Sequence, residues 1–449
     1  MSTIYEATAS APVNIAVIKY VFLYHPDILL AHTLTYRYWG KRDTKLILPT
    51  NSSLSVTLDQ AQLKSTTTSR ADPSFERDQL WLNGQEDEIK PGGRLATCIS
   101  EMKRLRKEKV EHKNPDAPKV RFKFSLTSCL FKSSFLQLST YHVRIASYNN
   151  FPTAAGLASS ASGFAALVSS LAYLYELPVS ASDLSLIARQ GSGSACRSLF
   201  GGFVAWEMGQ DPSGTDSLAV QVSPTEHWPE MQALICVVSD DKKGTSSTSG
   251  MQRSVETSSL LQHRIKHVVP DRMDRMAAAI RAKDFSAFAK ITMADSNQFH
   301  AVALDTEPPI FYMNDVSRAI IALIGEYNRV SVEAGTGYKA AYTYDAGPNA
   351  VIYALEENVK EIASLILAYF PQRPGDFKDD FGLFGDNGTK DVNAFAKVLG
   401  GFNEAVAKRY DIGAVKGIIH TRVGDGPRKL SGSESLLDVD GLPQTLPRK

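Results

Sequence analysis

The run Ala154-Ala155-Gly156-Leu157-Ala158-Ser159-Ser160-Ala161-Ser162 is small at every position except Leu157, and it constrains this chain more than any other stretch. Small side chains leave backbone N–H groups unobstructed and let the chain come close to a ligand. Pro152 and Thr153 precede the run. Gly163-Phe164-Ala165-Ala166-Leu167-Val168 through Leu174 follows, with the composition of a helix buried on most faces. A loop that opens into such a helix gathers free N–H donors and the positive end of the helix dipole at one point. That is an anion site, most naturally for phosphate. A tight loop packed against a sheet has the same composition, and the run lacks the lysine of a Walker sequence.

A chain of 449 residues is too long for one simple core and implies two lobes. Hydrophobic residues at 43% and charged residues at 22% fit an ordinary soluble globular protein. The formal net charge of +1 provides no global field for nucleic acid or a membrane surface, so any basic site must be local. Cys98, Cys129, Cys196 and Cys236 are widely spaced, which argues against a zinc site or a disulfide framework. No apolar run reaches the length of a membrane span. Val21 to Leu34 comes nearest, and His25, Pro26 and Asp27 interrupt it. No basic region followed by an apolar core opens the chain, so a cytoplasmic protein is expected.

Periodicity places the remaining elements. Strands are expected within Ile4 to Lys19, at Leu54-Val56-Leu58, and from Phe75 to Leu82 before the turn Asn83-Gly84. Others fall within Leu199 to Met208, at Leu234 to Val238, and on either side of the turn at Asp345 to Asn349. Helices are expected at Arg94 to Val110, at Leu184 to Arg189 after the capping-box sequence Ser180-Ala181-Ser182-Asp183, and at Gly250 to Val269. Three more follow at Asp271 to Ala282, Phe285 to Ser296 and Val316 to Arg329. Pro212 to Pro229 reads as a polar connection, Pro371 to Lys390 as a surface loop, and the tail after Gly424 as loosely ordered. Strands mixed with runs of helices indicate an α+β fold.

The stretch Pro152-Thr153-Ala154-Ala155-Gly156-Leu157-Ala158-Ser159-Ser160 resembles the phosphate loop of the GHMP kinase superfamily. Ala11-Pro12-Val13-Asn14-Ile15-Ala16, Trp39-Gly40-Lys41-Arg42-Asp43 and Pro49-Thr50-Asn51-Ser52-Ser53 extend the likeness. Gly191-Ser192-Gly193-Ser194-Ala195-Cys196-Arg197-Ser198 and Tyr344-Asp345-Ala346-Gly347-Pro348-Asn349-Ala350 narrow it to the mevalonate diphosphate decarboxylase family. The resemblance implies a two-lobed GHMP-kinase-like fold around a central cleft. Residues 1–226 would form the ATP-binding lobe and 231–449 the second. It also implies ATP as co-substrate, Mg²⁺, 5-diphosphomevalonate as substrate and a homodimer.

In this setting Asp345 follows a strand and precedes a sharp turn, where a carboxylate can be held rigidly as a general base. Otherwise it is an Asx-turn residue serving its own backbone. The resemblance places it near the tertiary hydroxyl of the substrate. Arg197 can grip a carboxylate through two parallel N–H bonds, with Ser192 and Ser194 donating to diphosphate or carboxylate oxygens. The bland alternative is a pair of capping serines beside a solvent-facing arginine. Lys19, Lys41 and Arg77 fall in motifs that the family uses for an anionic pocket, with Asn14, Tyr20 and Ser247 as further substrate contacts. Lys19 is also grouped with Asp345 and Arg197 as catalytic. Pro152, Ala154, Ala155, Gly156, Leu157, Ala158, Ser159 and Ser160 would hold ATP. Mg²⁺ would rest on Ser159, Ser160, phosphate oxygens and water. Cys196 reads as structural.

Three departures stand out. Residues 21–38 and 121–137 interrupt the family pattern as apparent insertions, the first between Lys19 and Lys41. Tyr148 stands where glutamate is expected, which puts loop ordering or metal placement in question. A GHMP small-molecule kinase that stops at the phosphorylated product shares the loop, and an inactive ligand-binding paralogue is compatible with the departures.

Overall fold

A computed structural model describes residues 4–20, 46–113, 137–151, 159–239, 247–373, 375–384 and 401–444. Insertion 21–38, Lys41, the loop residues 152–158 and all of 121–137 except Gln137 lie outside the described residues. In chain order the first half gives β1 (Tyr5–Pro12), β2 (Asn14–Ile18), β3 (Ser53–Thr57), β4 (Lys64–Asp72), β5 (Gln79–Leu82), β6 (Gln85–Asp87), α1 (Arg94–Arg106), β7 (His142–Asn149), α2 (Ser159–Leu174), α3 (Ala181–Gly191), β8 (Phe203–Trp206) and β9 (Ala219–Ser223). The second gives β10 (Met231–Val237), α4 (Ser247–Thr257), α5 (Ser259–His263), α6 (Val269–Ala282), α7 (Phe285–Leu304), α8 (Asp315–Glu333), β11 (Ala341–Tyr344), β12 (Ala350–Leu355), α9 (Glu356–Tyr369), β13 (Phe377–Lys378), β14 (Gly417–Arg422) and β15 (Arg428–Leu430).

Three sheets result, in the orders β15-β1-β4-β7-β5-β6, β2-β3-β8-β9 and β11-β12-β10-β14-β13, all mixed with helices in the expected α+β manner. At Val13 the chain passes from the first sheet to the second, which puts Asn14 at the corner. In β1 alanines alternate with hydroxyl residues, β4 carries a run of serines and threonines, and most of these are buried. Small side chains let α2 lie close to the sheet, and paired hydroxyls satisfy the polar atoms buried there. Ser65 meets Ser162 at 2.7 Å and Ser69 meets Ser170 at 2.8 Å, a contact every second turn of α2. These pairs fix the start of α2, where the small-residue loop ends.

The capping box at Ser180 and Asp183 forms as expected, and the Asn83-Gly84 turn takes positive φ at both residues, joining β5 to β6. Three readings are corrected. The Pro212–Pro229 connection contains β9, which pairs with β8. Helix α7 runs on to Leu304 because its apolar face continues through Val302 and Ala303. The tail is ordered: β15 pairs with β1, and buried Leu436 and Leu437 cover the face of the first sheet opposite α2. The largest core crosses the middle of the chain, joining Ile15, Leu54 and Phe203 to Leu234, Phe288 and Ile352. Among the described residues no helix is long and apolar enough to cross a membrane.

Candidate active site

Lys19 directly follows strand β2 and is buried, and its Nζ lies 2.6 Å from Asp345 Oδ1 while donating to the Ala16 carbonyl at 2.9 Å. Asp345 starts the turn between β11 and β12. Asn349 anchors that turn by accepting the Val238 and Ser239 amides at 2.7 and 3.0 Å. The Asp345 carboxylate meets Lys19 rather than the amides that follow it, so the Asx-turn reading does not hold. Its side chain is 28% exposed, open enough for a ligand to reach. Beside the pair, burial and then the Lys19 charge push the His300 pKa down to about 4. Its Nε2 faces the Tyr344 carbonyl at 3.3 Å, which calls for the proton on Nε2.

Arg197 is almost wholly buried, which removes the solvent-facing alternative. Its Nε donates to Ser55 Oγ and, at 3.4 Å, to Asn14 Oδ1. Its Nη1 donates to Ser53 Oγ at 2.6 Å. The guanidinium also lies 4.9 Å from the Tyr20 ring centroid and 5.9 Å from that of Trp206. Asn14 Nδ2 in turn donates to the Ser194 carbonyl at 3.0 Å and Ser198 Oγ at 2.7 Å. Tyr20 packs on Arg197; burial raises its pKa against the pull of Arg197 and a hydrogen bond with Ser194.

Hydroxyls continue from there toward the small-residue loop. Ser194 Oγ lies 3.5 Å from Ser192 Oγ, and Ser192 Oγ lies 3.1 Å from Ser160 Oγ at the start of α2. Ser192 precedes the 3₁₀ turn Gly193–Leu199 without capping it through its side chain, so the capping-pair alternative fails too. This contact needs α3 to end hard against α2. A Cβ on Gly191 would fall 2.1 Å from Cδ1 of Phe164, so no side chain fits there.

Other expected residues fall elsewhere or beyond view. Arg77 is 71% exposed and pairs with Glu86 at the outer β5–β6 hairpin, away from this cluster. Lys41, Pro152, Ala154, Ala155, Gly156, Leu157 and Ala158 lie outside the described residues, and Ser247 opens α4. Burial raises the Cys196 pKa to about 12, in keeping with a structural thiol. Tyr148 lies on β7. On the sheet face opposite α2 it packs against Leu436 and Leu437 and donates to the Gln444 carbonyl at 3.0 Å. A tyrosine there helps to hold the tail.

Sequence reasoning missed Asp295, Arg264, Arg272 and His300. Asp295 carries the one available signal, an acid on the apolar stripe of a helix beside Ile291 and Thr292. Asn51 and Ser53 lay inside a quoted motif but had no assigned role. Among the described residues no group of three or more His, Cys, Asp or Glu is placed to hold a metal ion. Ser159 and Ser160, which the resemblance offers for Mg²⁺, stand at the start of α2.

The sheets and helices around this cleft have the fold of the GHMP kinase superfamily. Residues 33–219 match the diphosphomevalonate decarboxylase-like N-terminal domain, and residues 233–430 match the mevalonate 5-diphosphate decarboxylase C-terminal domain. A diphosphomevalonate decarboxylase of Ganoderma lucidum is 67% identical over 98% of this chain and 100% of its own. A crystal structure of a mevalonate 5-diphosphate decarboxylase superposes with a TM-score of 0.78 at 45% identity, covering 97% of this chain and 99% of that one. Another solved protein, MDDEF in complex with MVAPP, AMPPCP and magnesium, gives 0.65 at 27% identity, covering 95% and 99%. The chain belongs to the mevalonate diphosphate decarboxylase family and is an enzyme.

Proposed function

We propose that Lys19, Asp345 and Arg197 divide the work of one reaction: ATP-dependent decarboxylation of (R)-5-diphosphomevalonate to isopentenyl diphosphate, with ADP, phosphate and CO2 released. The observation that carries this assignment is the 2.6 Å Lys19–Asp345 pair, next to Tyr20, whose ring packs on the buried Arg197. Asp345 accepts the proton of the tertiary hydroxyl as its oxygen attacks the γ-phosphorus of ATP and ADP leaves. Lys19 keeps the Asp345 carboxylate oriented through their 2.6 Å contact. Arg197 has Nε and Nη1 committed to serines, which leaves Nη2 with no partner among the described residues and free to take a substrate carboxylate oxygen. With the carboxylate held, the C–O bond to phosphate breaks and the electrons of the C–C bond form the alkene as CO2 departs.

Ser192 and Ser194 donate to substrate oxygens, and Ser160 links them to the nucleotide loop. Bound Mg²⁺ neutralises charge on the transferring phosphoryl group. Residues 1–226 form the ATP-binding lobe and 231–449 the second, a division supported by the family matches at 33–219 and 233–430. Cytoplasmic action as a homodimer is what the family resemblance supports. The test is CO2 release measured against ATP consumed: one CO2 for each ATP is expected. ATP consumption without CO2 would make the protein a kinase that stops at the phosphorylated product.

A further inference from the structure

Beneath Lys19, on the side away from Asp345, lies a charge cluster that the reaction above does not use. Asp295, on α7, has no exposure, and its Oδ2 accepts the Lys19 backbone N–H at 2.9 Å. Arg264 is equally buried. Its Nη2 donates to the Lys19 carbonyl at 2.9 Å and to Asp295 Oδ2 at 2.8 Å. Arg272, on α6, adds a bond to Asp295 Oδ1 at 3.0 Å, and Gln298 accepts from both arginines at 2.7 and 2.9 Å. The N–H and C=O of a single residue are thus both held by one buried ion pair. The Asn51 side chain gives the carbonyl a second donor at 3.2 Å.

The local backbone points the same way. Between α5 and α6 the helix passes through a π-helical turn, Arg264–Val268, and Arg264 is its first residue. An extra residue in a helical turn rotates the side chains that follow, and such turns gather at functional sites. A buried ion pair brings little net stability over apolar residues of the same size, so stability alone does not account for one under a lysine.

We propose that Asp295 and Arg264 are positioning residues, a clamp from the second half of the chain that fixes the Lys19 backbone so that its ammonium stays on Asp345. Lys19 directly follows β2, and Tyr20 after it packs against Arg197 and Trp206. Release of the clamp lets the backbone after Ile18 turn. The ammonium then moves off the Asp345 carboxylate.

The inference rests on the roles proposed for Lys19 and Asp345, and a double-mutant cycle separates the two. In the full-length enzyme, Asp295→Asn and Arg264→Lys should each lower kcat about 10- to 100-fold with KM for ATP within about threefold. Combined with Lys19→Met, either should cause less than a further threefold loss, because the group being positioned is already gone. Losses that multiply in the double variants, or a KM for ATP that rises as much as kcat falls, would overturn the clamp while leaving Lys19 catalytic. Full activity in Lys19→Met alone would overturn the underlying reading instead. Where Asp295→Asn does not fold, Arg264→Lys keeps the buried charge and lets the cycle be completed. Near-wild-type kcat in folded Arg264→Lys counts against the clamp.

Discussion

His300 sits beside the Lys19–Asp345 pair, and its burial sets a pH dependence that can be worked out by sign. The unfolded chain binds a proton near the ordinary histidine value of about 6.5, whereas the folded form holds the imidazole neutral down to about 4. Its stabilising contribution is therefore fully present above pH 6.5 and is lost as pH falls toward 4, about 3 kcal/mol in all. Urea unfolding at pH 7 and pH 5 should show a drop in stability that is clearly smaller in His300→Asn. An equal drop in both proteins would mean that His300 is not held neutral. Nothing in the sequence marks His300, because a lone histidine in a helix reads as surface or core alike. Asp345 and Arg197 were legible because each lies in a motif with chemistry attached. Their partners Ser53, Ser55 and Asp295 come from distant parts of the chain, and only the fold brings them together.

Among the elements, α2 was legible from composition and the hydroxyl pairs beneath it were not, since β4 looks too polar for a central strand. Those serines and threonines are buried only because α2 and the tail cover both faces and satisfy them. The tail misled for the opposite reason. Its polar composition reads as loose, yet Leu436 and Leu437 are buried, a gain of about 1.5–3 kcal/mol for each. The segment from Val21 to Tyr38 poses the sharper question, because it parts Lys19 from Lys41 in the sequence. Closing an added loop of that size costs about 2–3 kcal/mol of chain entropy, which a large fold tolerates. We expect its deletion to raise both soluble yield and specific activity. A deletion variant that unfolds or loses activity would make the segment an integral part of the enzyme.

Across the whole molecule, the cleft is built from both halves of the chain. Lys19, Asn14 and Arg197 come from the first, while Asp345, Asp295 and Arg264 come from the second, and a continuous core joins them. That arrangement makes the Lys19–Asp345 contact a point at which the two halves meet chemically. The most direct measurement is steady-state turnover and substrate binding in Asp345→Asn, which keeps the shape of the side chain and removes its charge. We expect kcat to fall about 10²- to 10⁴-fold, the ordinary worth of a positioned general base. The Kd for 5-diphosphomevalonate by calorimetry should stay within about fivefold, since Arg197 and the serines still hold the substrate. Turnover near that of the unmodified enzyme would contradict the account.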